Sequence, residues 1–91
     1  MTESENSPLE RHLAAFGSRV RAVRRYRDVT QDVLAEQVGT SRSRLSRIER
    51  GRINVTLDTL FRLSRALDVH PAALLDDRTE VGQIPRYEPP T

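Results

Sequence analysis

Three features of the chain predict an all-α fold, a compact set of five short helices. Apolar residues return at three- and four-residue steps in successive stretches. Each stretch is preceded by a residue suited to cap a helix. No stretch of useful length alternates apolar and polar residues as a strand would. At 91 residues the chain is one domain with a modest core, and a partner subunit is expected to stabilise it.

Residues 1–6 are polar and read as a disordered arm. Ser7-Pro8-Leu9-Glu10 is a helix start: a capping serine, proline in the first turn, and a glutamate that completes a capping box. Leu9, Leu13, Phe16, Val20 and Val23 form one apolar stripe, with Arg24 at its edge, and this helix should end near Arg27-Asp28. Thr30 caps a second helix, Asp32 suits the dipole of its first turn, and Leu34, Ala35 and Val38 form its buried face. Gly39 is placed to take the left-handed conformation that ends this helix.

Ser41 caps the third helix. At about 100° per residue, Arg42, Ser43, Ser46, Arg47 and Arg50 share one arc, while Leu45 and Ile48 lie opposite and Glu49 falls at the boundary. The helix therefore sits on the protein by two apolar residues and turns an arginine-and-serine face outward. Residues 51–55 form a turn-rich connection. Thr56 caps a fourth helix in which Leu57, Leu60, Phe61, Leu63 and Leu67 face inward, and Phe16 and Phe61 read as core. His70-Pro71 opens a fifth helix with Ala73, Leu74 and Leu75. The folded domain thus spans residues 7–75, and 76–91 is a polar tail with three prolines, either flexible or crossing to a partner through Val81, Ile84 and Tyr87.

The net charge of +2 hides an uneven distribution. From Arg19 to Arg52 there are ten arginines against Asp28, Asp32, Glu36 and Glu49; the remainder has five arginines against nine acids. A basic centre between acidic ends points to a polyanionic partner. Lysine does not occur. Arginine's planar fork matches phosphate and guanine edges where the arginines cluster, while an arginine-biased genome is the preferred account of the missing lysine. The short helix, glycine turn and arginine-bearing helix over residues 30–51 have the shape and chemistry of a major-groove reader of double-stranded DNA.

Other chemistries find little support. Cysteine is absent, which removes thiolate metal sites and disulfides and is compatible with a cytoplasmic location. His12 and His70 lack ligand companions, so no metal or cofactor is expected. No serine has a histidine and acid relay, and no glycine-rich phosphate loop follows a strand, so no catalytic site and no enzyme are expected. No apolar run reaches membrane length, and the N-terminus lacks a signal-peptide core.

With these residues in place, the chain resembles the Cro/repressor (Xre-type) helix-turn-helix family. The resemblance runs from about Phe16 to Leu75 and rests on Phe16-Gly17, Val20-Arg21 with Val23-Arg24, Thr30-Gln31, Leu34-Ala35, Val38-Gly39-Thr40-Ser41, Leu45 to Gly51, Thr56-Leu57, Leu60 and Leu74-Leu75. The length and Asn54-Val55-Thr56-Leu57 also resemble, more weakly, the controller proteins of restriction–modification systems. The resemblance implies a five-helix lambda-repressor-like domain with its third helix as reader. It implies that Gln31 bonds a DNA phosphate and nearby reading residues, and that Arg24 and Glu49 form an ion pair tying the first helix to the third. Three positions depart from the family pattern. Asp28 and Asp68 replace glycines, so strained or differently shaped turns are expected there, and His70 replaces a serine cap, which weakens the start of the fifth helix.

Arg42 and Arg47 are the first candidates for base contacts, with Ser43 and Ser46 beside them; the alternative for the arginines is phosphate clamping. Gln31, Ser41, Arg44, Arg50 and Arg52 are the candidates for phosphate contacts. One reading helix covers only a few base pairs, which favours a homodimer on a near-palindromic operator. The family places that interface at the fifth helix, around Leu74 and Leu75. Glu36 is a candidate contact to RNA polymerase. Two other functions fit the same residues: an antitoxin whose tail or arm neutralises a toxin, and a bridging module whose basic face meets protein.

Overall fold

The structure, a computed structural model, describes residues 7–76 and 78–89. It places α1 at Pro8–Tyr26, α2 at Gln31–Val38, α3 at Arg42–Glu49, α4 at Leu57–Leu67 and α5 at Pro71–Leu75, with a short 3-10 turn at Val81–Gln83. No strand occurs among the described residues. The expected arm over residues 1–6 lies outside them.

Local chemistry sets the helix ends. Ser7 and Glu10 form a reciprocal capping box: the serine hydroxyl accepts from the Glu10 N–H at 3.1 Å, and the Ser7 N–H donates to the glutamate at 2.9 Å. The hydroxyls of Thr30, Ser41 and Thr56 accept N–H groups in the first turns of α2, α3 and α4. Gly39 closes α2 at φ 87°, and the N–H groups of both Gly39 and Thr40 reach the Ala35 carbonyl at 2.9 Å. His70, expected to weaken the start of α5, instead caps it: its Nδ1 accepts the Ala72 N–H at 3.1 Å. An imidazole nitrogen supplies the acceptor that a serine hydroxyl would have offered.

Asp28 and Asp68 adopt the left-handed conformation at φ 59° and 56°, where an L-side chain is strained by about 1–2 kcal/mol. Both turns therefore keep a glycine-like shape without glycine. At Asp68 the carboxylate also gains partners, accepting from Arg86 Nε at 2.7 Å and the Tyr87 N–H at 3.3 Å.

The core is one cluster. Val20 and Val23 of α1, Leu34 and Val38 of α2, Leu45 and Ile48 of α3, and Leu63 and Leu67 of α4 meet in it. α3 lies against α1 and α2, α4 packs on α2, and α5 on α1 and α4. The approach of α1 to the end of α3 depends on Gly17. A Cβ there would fall 2.7 Å from the Glu49 carbonyl oxygen and closer still to that of Ile48.

Several inward assignments need correction. Leu57 is 70% exposed and Phe61 45% exposed, so neither is core. Leu9 is also exposed, because the first turn of α1 projects past the other helices' cover. Leu74, expected at a subunit interface, is 1% exposed within its own chain. Its side chain is consumed by the core and has no area left for a partner; Leu75, next to it, remains exposed.

The described part of the tail, residues 78–89, folds back on its own chain. Ile84 is buried in the core, and the His70 N–H donates to the Pro85 carbonyl at 2.8 Å. Arg19, buried on the stripe between Phe16 and Val23, donates to the carbonyls of Ala73 (2.9 Å) and Thr79, joining α1, α5 and the tail. Burying a guanidinium is tolerable because two carbonyl oxygens replace its water.

Two predictions follow from this packing. Gly17→Ala should lower stability by about 1–3 kcal/mol, read by urea unfolding, because the two backbones must part. The hydrogen bond from Arg86 holds the Asp68 carboxyl below the usual carboxylate range. Its pKa is thus lower folded than unfolded, and the stabilisation is present above the unfolded value of about 3.9 and lost as pH falls through the folded one. Arg86→Ala should lower the thermal midpoint near neutral pH, and the difference from wild type should close in acid below about pH 4.

Candidate nucleic-acid interface

α3 is an eight-residue rod with two chemical sides. Leu45 and Ile48 are 0% and 1% exposed and anchor it. Arg42, Ser43 and Arg47 are exposed and Ser46 is half-buried on the opposite side. Ser41 caps the rod through its hydroxyl oxygen, which leaves its proton for an external acceptor.

A buried carboxylate sets the rod's orientation. Glu49, at the end of α3, is 6% exposed. Arg24 of α1 pairs with it in two bonds, Nε to Oε2 at 2.7 Å and Nη2 to Oε1 at 3.1 Å, so the expected ion pair is present. Arg24 Nη1 also donates to the Val29 carbonyl at 2.9 Å, which fixes the turn before α2. Gln31 Nε2 donates to Glu49 Oε1 at 3.0 Å. Its own oxygen accepts from Arg42 Nε at 3.4 Å. A chain of polar contacts therefore runs from α1 through the end of α3 and the start of α2 to the first exposed arginine of α3.

These groups surround an open basin of about 630 Å³ lined by Arg21, Arg24, Thr30, Gln31, Asp32, Arg42, Ser46, Glu49 and Arg50. Of the expected base and phosphate contacts, the structure gathers Gln31, Arg42, Ser46 and Arg50 here. Arg50 lies just beyond the last turn, its Nε 3.4 Å from the Ser46 carbonyl. Ser43 and Arg47 are exposed on α3 outside the basin lining, and Arg52 is exposed in the following loop. Arg44 points elsewhere, into a second hollow with Gly39, Thr40, Asp58 and Arg62. Arg62 closes that hollow, donating to the Val38 carbonyl at 3.3 Å and to Asp58 at 2.9 Å.

Arg21 is a basin residue that the sequence did not single out. It sits one turn before Arg24 on α1, so the i, i+3 spacing carried the signal once Arg24 was placed at the site. Asp32, a first-turn acid that favours the α2 dipole, also has its carboxylate 3.8 Å from Arg42 Nε. No cluster of three His, Cys, Asp or Glu groups that could hold a metal occurs among the described residues.

Leu75 lines a separate apolar groove with Leu13, Phe16, Val55, Leu57 and Leu60. It shares no residue with the basin. No helix among the described residues is long and apolar enough to cross a membrane.

The comparisons with known proteins agree with this geometry. A helix-turn-helix family model matches residues 20–74, more than half of the chain. The immunity repressor of Bacillus phage phi105 is 41% identical over 67 residues, covering 74% of this chain and 46% of the repressor. The control protein C.BamHI of Bacillus amyloliquefaciens is 42% identical over 65 residues, covering 70% of this chain and 80% of that protein. Among solved structures, the restriction–modification controller protein C.AhdI of Aeromonas hydrophila superposes with a TM-score of 0.67 at 39% identity, over 68% of this chain and 94% of that one. The chain thus spans less than half the length of the phage repressor but most of the control protein.

Because Glu49 is buried and its partners are fixed, removing either side of the ion pair should be costly. Arg24→Ala and Glu49→Ala are each expected to lose about 3–5 kcal/mol in chemical denaturation. The double variant should show a coupling of about 0.5–3 kcal/mol; additive losses would mean that the pair does not act as a unit.

Proposed function

The chain belongs to the helix-turn-helix family of DNA-binding transcription regulators, the Cro/repressor or Xre type, and from that membership we propose that it is a homodimer reading a near-palindromic operator. The observation that carries this reading is the exposed arginine-and-serine side of α3, held outward by Leu45 and Ile48 and oriented through Glu49. Arg42 and Arg47 take base edges, and Ser43 and Ser46 let the rod approach the groove floor and contact bases there. Gln31, Ser41, Arg44, Arg50 and Arg52 take phosphates on either side, and Arg21 joins them from α1. Arg44 fits the backbone role, since it lies off the basin and toward the α2–α3 turn.

Two copies would place their reading rods about 34–36 Å apart, one per half-site. The apolar groove with exposed Leu57 and Leu75 supports the dimer: two large aliphatic side chains at 70% and 67% exposure are better matched to a partner than to water. Leu75 keeps the interface role expected of it, and Leu57 replaces Leu74. The protein acts in the cytoplasm on this reading, and Glu36, exposed on α2, is the candidate for a contact with RNA polymerase.

Selection of bound sequences from random duplexes should return an inverted repeat. Arg42→Ala and Arg47→Ala should each erase preference at one position per half-site, a loss of about 1–3 kcal/mol. Arg44→Ala, Arg50→Ala and Arg52→Ala should keep the preference but each flatten the log–log salt dependence by about 0.9. A flat selection profile would overturn the reading. For the dimer, Leu57→Glu with Leu75→Glu should shift sedimentation to the monomer and weaken operator binding; an unchanged sedimentation coefficient would exclude this groove as the interface.

A further inference from the structure

One acid stands among the arginines of the reading face. Two carboxylates line the basin, Asp32 and Glu49. Glu49 is buried and neutralised by Arg24, and it carries no free charge to the surface. Asp32 is different: its side chain is 73% exposed, and its neighbour is Arg42, the leading base-contact candidate, at 3.8 Å. Gln31, the residue before it, accepts from the same Arg42 nitrogen. The first turn of α2 therefore offers Arg42 Nε one acceptor, Gln31, and a nearby opposite charge, Asp32, while the terminal NH2 groups of that guanidinium remain for a ligand.

We propose that Asp32 is a specificity-determining residue that restrains Arg42 for base recognition and penalises its use on phosphate. The proposal rests on the reading of α3 as the DNA-contacting helix. A long arginine on an exposed helix has many rotamers, and any of them that reaches a phosphate adds affinity for every sequence. An acceptor and a carboxylate charge on one side of the guanidinium reduce that freedom. The carboxylate also repels the phosphate backbone that passes the start of α2, over a range set by a screening length of about 8–10 Å. The restraint on Arg42 weakens binding to arbitrary DNA more than binding to a site where Arg42 meets its base, while the repulsion bears on both.

The test compares wild type, Asp32→Asn and Asp32→Ser on two probes, a duplex recovered by selection and a scrambled duplex of the same composition and length. Asn and Ser both suit the start of a helix, and thermal unfolding checks each variant's fold. Both variants should bind the scrambled duplex several-fold more tightly, with a smaller change on the selected one, so that the ratio of affinities falls about 3- to 10-fold. The salt slope on the scrambled duplex should steepen by up to about 0.9, as Arg42 gains a phosphate. In an Arg42→Ala background the same substitutions should leave the ratio unchanged. Equal tightening on both probes, no change on either, weaker binding to both, or a fall in ratio that persists without Arg42 would each overturn the proposal. A wild type that does not prefer the selected duplex would overturn the reading of α3 itself, which is a separate result.

Discussion

Glu49 is the point on which the domain's geometry depends. It ends α3, yet it is buried, and a buried carboxylate is tolerated only where charge and hydrogen bonds replace its water. Arg24 supplies two bonds from α1 and Gln31 supplies one from α2. Three helices are thereby oriented by the needs of a single side chain. The contribution is less one of net stability than of direction, since an apolar substitute of equal volume would also fill the space. What an apolar residue would not do is fix which way the outer side of α3 faces.

The same contacts lead outward. Gln31 links the buried pair to Arg42, so the first exposed arginine of α3 is continuous with the structural network. Leu45 and Ile48 hold the rod against the core, while Gly17 lets α1 lie against the backbone at its end. Movement of α1 relative to α3 would therefore be felt at the exposed face of α3, because no flexible element separates them. Arg62 performs a similar service on the other side, closing the end of α2 beside the turn into α3.

The apolar groove and the tail divide the opposite requirements of core and surface. The tail's Ile84 and the hydrogen bonds of Arg19 and His70 hold it against α1 and α5. Leu57 and Leu75 are left uncovered by this arrangement. The result is a small domain that completes its own core and still presents aliphatic surface. Such surface is what a marginally stable chain would share with a second copy.

The helices, their caps and the arginine arc of α3 were legible in the sequence because they follow from local rules. Capping needs only a side-chain acceptor at one position, and a helix's two faces are set by its period. The ion pair of Arg24 with Glu49 was legible through family resemblance joined to their boundary positions on the wheel. The corrections at Leu57 and Leu9 concern the ends of stripes. Periodicity puts Leu57 in line with Leu60 and Leu63, and Leu9 in line with Leu13, but it is blind to where the neighbouring helices stop. Nor does it show that Arg19 is buried, because the carbonyls that satisfy it come from Ala73 and Thr79, far along the chain. By itself the sequence determined which residues form helices and which side of each is apolar. Only the tertiary structure decided which apolar residues are covered, whether the tail returns to α1, and that Asp32 stands beside Arg42. Those outcomes depend on contacts between residues distant in sequence, and no local period encodes them.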